Sequence, residues 1–65
     1  MEQQQIVPLL TTDRAATWLG LCVETLRYFR RAGKGPKYIA ISNRIRYSIP
    51  DLEEYVESHT VEPSG

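Results

Sequence analysis

The sequence predicts a small α+β domain ordered helix, turn, helix, β-hairpin, helix. Three observations carry this reading. Two short amphipathic segments, "LLTTDRAATWLG" and "LCVETLRYFRRAG", follow one another directly, their helices joined only by Gly20-Leu21-Cys22. Two β-branched and aromatic runs, "YIAI" and "RIRYSI", flank the turn-forming "SNR". A third amphipathic segment, "SIPDLEEYVESH", closes the pattern.

In the first segment Thr11 or Thr12 suits an N-cap, and Asp13 falls in the positive first turn. Ala15, Ala16 and Leu19 recur at helical spacing, and Gly20 stops the helix after about two turns. In the second, at about 100° per residue, Leu26 and Phe29 point one way with Val23 and Ala32 on their flanks. Glu24, Arg27, Tyr28 and Arg31 point the other way. Gly33 is the expected stop, and Arg30 and Arg31 suit the negative end of the helix dipole.

"GKGPKY" then breaks the chain, and Asn43 in "SNR" suits a positive φ. Strand alternation puts Ile39 and Ile41 on one face and Ala40 on the other; Ile45 and Tyr47 share a face, and Arg44, Arg46 and Ser48 the opposite one. In the last helix Pro50 takes the first position with Asp51 beside it, and Leu52, Tyr55 and Val56 form one apolar stripe. Trp18 is expected half-buried against the last helix or the hairpin. The boundaries expected are a tail at residues 1–8, one domain at 9–58 and a tail at 59–65.

Sixty-five residues make one small domain with no room for a cleft between two lobes. No apolar run approaches the roughly 20 residues that span a bilayer, and "MEQQQIVPLL" lacks the basic and long apolar regions of a secretory signal. One Cys and one His are too few for a structural zinc site or an internal disulfide, which fits a reducing cytoplasm. Catalysis finds no support: there is no Ser-His-Asp set, and "GKG" lacks the spacing of a phosphate-binding loop. No catalytic residue, metal, cofactor, membrane or small-molecule ligand is expected.

Charge distribution is more informative than its total. The formal net charge is zero, yet residues 25–47 hold seven of the eight Lys and Arg and no carboxylate. From Asp51 onward there are five carboxylates and no Lys or Arg. Such a dipole suits a face that meets a polyanion, with the acidic segment turned elsewhere.

The two close helices suggest a helix-turn-helix whose second member reads DNA. Arg forks onto guanine O6 and N7, Glu accepts from cytosine N4, and Tyr reaches a phosphate or a thymine methyl. Glu24, Thr25, Arg27 and Tyr28, near the start of that helix, are the candidates for base contacts; Arg30 and Arg31, one turn on, are candidates for phosphate. The hairpin, with Lys37, Asn43, Arg44 and Arg46, suits a wing along the phosphates or in the minor groove. Arg14 on the first helix adds a backbone contact.

The order T-x-x-x-A-A-x-x-L-G, a recognition helix leading to "RAG", a wing ending in "RIRY" and an acidic "DLEEY" helix resembles the excisionase-like, MerR-related winged helix-turn-helix domains over residues 9–57. The resemblance places Thr25, Arg27, Tyr28 and Arg31 at the DNA-facing helix positions, Arg44 and Arg46 on the wing, and Leu19, Leu26, Phe29, Ile45 and Leu52 in the core. It implies a winged helix-turn-helix that binds double-stranded DNA, most simply a phage or mobile-element excisionase acting beside an integrase and assembling side by side on bent DNA. It also implies a cytoplasmic protein, in a bacterial nucleoid or a phage-infected cell. A small prophage transcription regulator shares the pattern; a protein-interaction module using the acidic helix is the alternative of another class. Two departures bear on stability: Arg14 stands where a Glu often completes a capping box, and Cys22 where Ser or Thr usually caps the recognition helix. The sequence stops before the dimerisation helix and effector domain of full MerR regulators, so no sensing role is carried over.

Overall fold

A computed structural model describes residues 9–63. In chain order these form β1 (Leu9–Leu10), α1 (Thr12–Leu19), α2 (Val23–Arg31), β2 (Ile39–Ile41), β3 (Arg44–Ser48) and α3 (Ile49–Ser58). The expected 1–8 tail lies outside the described residues.

Each helix begins and ends for a local reason. Thr11 caps α1, its hydroxyl accepting from the Arg14 N–H at 3.2 Å. The cap therefore forms although Arg14 removes the reciprocal half of the box. Gly20, at φ 75°, closes α1, with Leu21 N–H bonded to Ala16 C=O and Gly20 N–H to Thr17 C=O. Gly33, at φ 77°, closes α2 in the same way, through Lys34 N–H to Phe29 C=O and Gly33 N–H to Arg30 C=O. These crossed bonds satisfy carbonyls a helix end would otherwise leave orphaned. Cys22 makes no side-chain cap bond to α2, as expected of a thiol. Ser48 caps α3 reciprocally: its Oγ accepts from Asp51 N–H at 3.4 Å and donates to Asp51 Oδ2 at 3.0 Å. Ile49 is the first helical residue, so Pro50 stands second rather than first.

The hairpin turn is two residues, Ser42 and Asn43, both at positive φ (46° and 66°). That conformation matches the twist of the flanking strands. It pairs Ile41 with Arg44, Ala40 with Ile45 and Ile39 with Arg46, antiparallel. Directly opposite residues share a face, so Ile39 and Ile41 lie on the side of Arg44 and Arg46, not with Ile45 and Tyr47. β1, absent from the sequence reading, adds a third strand on the other edge of β3, pairing Leu9 with Ser48 and Leu10 with Tyr47. Two residues show no alternation, so only their pairing reveals a strand.

β3 is the centre of the architecture, touching β1, β2, α1 and α3, while α1 packs on α2. The core is Ala15, Ala16, Leu26, Tyr47 and Leu52, with Leu10, Leu19, Val23 and Ile45 packed around it. The alanines let the helices approach closely, and the tyrosine fills the space between helices and sheet. Three apolar expectations are corrected. Ala32, at the C-cap, is exposed. Val56 is 45% exposed, because α3 meets only β3 closely and its stripe narrows to Leu52 and Tyr55. Trp18 is 42% exposed and borders a shallow groove with Leu10, Asp13, Arg14 and Thr17, on the β1 side of α1 rather than against α3 or the hairpin.

Candidate nucleic-acid interface

The outer face of α2 follows from the burial of its inner face. Leu26 is fully buried and Thr25 half-buried, which turns Glu24, Arg27, Tyr28 and Arg31 to solvent. Arg27 lies 4.0 Å from Glu24, an exposed i,i+3 pair. Both side chains stay hydrated there, so the pair is weak and readily exchanged for another partner. Beyond the helix end, the Lys34 ammonium sits 5.5 Å from the Tyr28 ring centroid and 5.7 Å from that of Phe29. The turn thus adds a cation beside the exposed Tyr28. Lys34 falls in a breaker stretch with no periodicity, so its place on this surface was not readable in the sequence.

Arg30 occupies a different environment from its neighbours. It is half-buried, and its Nη1 donates to the Tyr47 hydroxyl at 3.2 Å and to Thr12 Oγ1 at 3.4 Å. Its guanidinium also lies 5.8 Å from the Tyr38 ring centroid, and Tyr38 itself packs at 6.2 Å from Tyr47. One side chain therefore joins α2, the first turn of α1, and the base of the hairpin. The sequence expectation for Arg30 is a phosphate contact; the fold turns its guanidinium to the Tyr47 hydroxyl and Thr12, giving the buried hydroxyl a partner. Gly35 completes the joint: at φ 102°, a Cβ there would stand 2.9 Å from Phe29 Cβ, so the loop lies directly against the helix.

The hairpin cations also divide. Arg44 beside the turn is exposed, and Asn43 is exposed at the tip. Arg46 is half-buried, with Nη1 donating to the Ile45 carbonyl at 2.8 Å. Lys37 precedes β2 and pairs with Glu54 of α3 at 3.6 Å, next to a groove lined by Pro36, Asp51 and Tyr55. The sequence grouped Lys37 with the wing; the fold sets it against the acidic helix. Arg14 is exposed on α1 beside Asp13 and Trp18. The His59 ring packs against Tyr55, centroids 4.3 Å apart and tilted by 45°, with Nδ1 3.0 Å from the Tyr55 carbonyl. It ends α3 and takes no part in the basic surface. Among the described residues no group of three or more His, Cys, Asp and Glu could hold a metal ion, and no helix is long and apolar enough to cross a membrane.

Three helices and a small antiparallel sheet, with a hairpin following the second helix, define a winged helix-turn-helix. A family model described as "Helix-turn-helix domain" matches residues 9–60. The chain belongs to this helix-turn-helix family, a membership that points to DNA binding. No curated protein matches the chain.

Proposed function

We propose that the protein binds double-stranded DNA, with α2 in the major groove and the β2–β3 hairpin as a wing. The observation that carries this reading is the family membership together with what α2 exposes: Arg27, Tyr28 and Arg31 on one outer face, over a Leu26 that is fully buried. Arg27 and Glu24 are assigned to base edges, Thr25 and Tyr28 to base or nearby phosphate, and Arg31 and Lys34 to the backbone beyond. At the wing, Arg44 and Asn43 take the contacts at the tip, with Arg46 behind them. Arg14 is assigned to backbone from α1, and Arg30 to holding the helix and the hairpin together.

The biological role we infer is that of an excisionase, which binds several adjacent sites, bends the DNA and steers an integrase toward excision without cutting. Support for it is the sequence resemblance over residues 9–57. A single module of this type covers about 600–1,000 Å² of protein surface, so adjacent copies would supply affinity by multivalency. Such a role places the protein with DNA in the cytoplasm. A recombination assay with integrase and attachment-site DNA tests it: excision that requires this protein supports the role. Altered transcription from a nearby promoter with no effect on recombination would assign it to regulation instead.

A further inference from the structure

β2 is an edge strand whose three residues, Ile39, Ala40 and Ile41, carry no charge. Edge strands ordinarily carry Lys, Pro or a bulge to prevent pairing with another chain. Ile41, next to the turn, is 51% exposed. The two-residue turn decides where it points. By pairing Ile41 with Arg44 and Ile39 with Arg46, it sets the isoleucines and arginines on one face of the ribbon. A three-residue loop at "SNR" would have shifted that pairing. At the tip, then, an exposed β-branched apolar side chain stands about 5 Å, Cβ to Cβ, from an exposed arginine.

An apolar group beside a cation at the end of a narrow ribbon suits one partner above others. The DNA minor groove is about 6 Å wide, attracts arginine where it narrows, and admits apolar wedges such as Ile between base steps. A second copy pairing through β2 is less favourable, because each chain would bring its own Arg44 and Arg46 to the same ribbon.

Resting on the DNA-binding reading, we propose that Ile41 is a minor-groove contact that opens a base step while Arg44 anchors the strand beside it. The wing then has two separable functions: the arginine contributes salt-dependent affinity, and the isoleucine contributes deformation of the duplex. Because Ile41 is half exposed and the residues packed on the core are Leu10, Leu19, Val23 and Ile45, its substitution should leave the fold intact.

The test uses the duplex that the full chain enriches from a random-sequence pool, labelled at both ends for energy transfer and carrying 2-aminopurine in the protected minor-groove segment. Ile41→Ser should weaken binding roughly five- to tenfold. It should also abolish the 2-aminopurine fluorescence rise and most of the end-to-end shortening, while the thermal midpoint and the salt slope stay as in the parent chain. Ile41→Leu should restore affinity and bending together. Parent-like bending and fluorescence in Ile41→Ser overturns the inference. So does a sedimentation change from dimer to monomer with bending unchanged, which would make β2 a pairing edge. Salt-insensitive binding by the parent chain, or none, overturns the DNA reading itself.

Discussion

Helices α2 and α3 solve the same packing problem with opposite outer faces. Each is about two and a half turns long and buries one leucine completely, Leu26 in α2 and Leu52 in α3. Outside, α2 exposes two arginines, Arg27 and Arg31, against Glu24, while α3 exposes three carboxylates, Glu53, Glu54 and Glu57, and no base. Their termini are built differently as well. α2 lacks a side-chain cap but has Glu24 in its first turn and Arg30 and Arg31 in its last, so the helix dipole supports it. α3 has the reciprocal Ser48–Asp51 cap and no base in its last turn. The difference teaches that the outer charge of either helix is not required by the fold. Packing fixes the leucines, and the sign of the exposed surface is left open to function.

The largest expected effects test the shared half of that comparison. Leu26→Ala and Leu52→Ala should each cost about 2–5 kcal/mol, enough to unfold a 65-residue domain of marginal stability. Far-ultraviolet circular dichroism against urea checks this; a loss confined to one of the two would mean that the helices do not contribute equally to the core.

Next comes the half in which they differ. Arg27→Ala on α2 should cost about 1–3 kcal/mol of DNA binding and relax one base preference, with no change in urea midpoint. Replacing Glu53, Glu54 and Glu57 of α3 together by Gln should change affinity far less and leave specificity intact. If the α3 triple variant lost specific binding, the acidic helix would be part of the interface and the comparison would fail. Both are read by fluorescence anisotropy on the same duplex.

Smaller effects sharpen the account of the joint and the caps. Tyr47→Phe removes the hydroxyl that receives the Arg30 hydrogen bond and should cost about 1 kcal/mol of stability. If Arg30 is the tie between helix and hairpin, the same change should also weaken DNA binding modestly while the salt slope is kept. Smallest is Cys22→Ser, which gives α2 the cap it lacks and should stabilise by about 0.5–1 kcal/mol in a thermal melt.

Much of this was readable in the sequence because it is local. Gly20 and Gly33 as stops, Thr11 or Thr12 as a cap and the alternation of "RIRYSI" depend on residues within one turn or one strand of each other. What was not readable depends on pairing across the chain. β1 exists only because Leu10 lies beside Tyr47, and Tyr47 is core only because α1, α2 and α3 close over β3. The same holds at the site. α2's outward residues followed from helical period alone, but the fates of the cations did not. Arg30 turns inward because Tyr47 and Thr12 lie within reach, and Lys37 meets Glu54 because α3 folds back beside "GKGPKY". The side of the ribbon on which Ile41 lies was set by the two-residue turn, which pairs Ile41 with Arg44.

The central claim is that the cations exposed on α1, α2, the turn after it and the wing meet phosphate and guanine. Arg14, Arg27, Arg31, Lys34 and Arg44 are the exposed set apart from Lys37, which pairs with Glu54. Measuring the dissociation constant for the selected duplex from 50 to 300 mM salt tests it most directly. With three to five of those residues on DNA, log affinity should fall with log salt at a slope of roughly −3 to −4.5. A slope near zero would contradict the account.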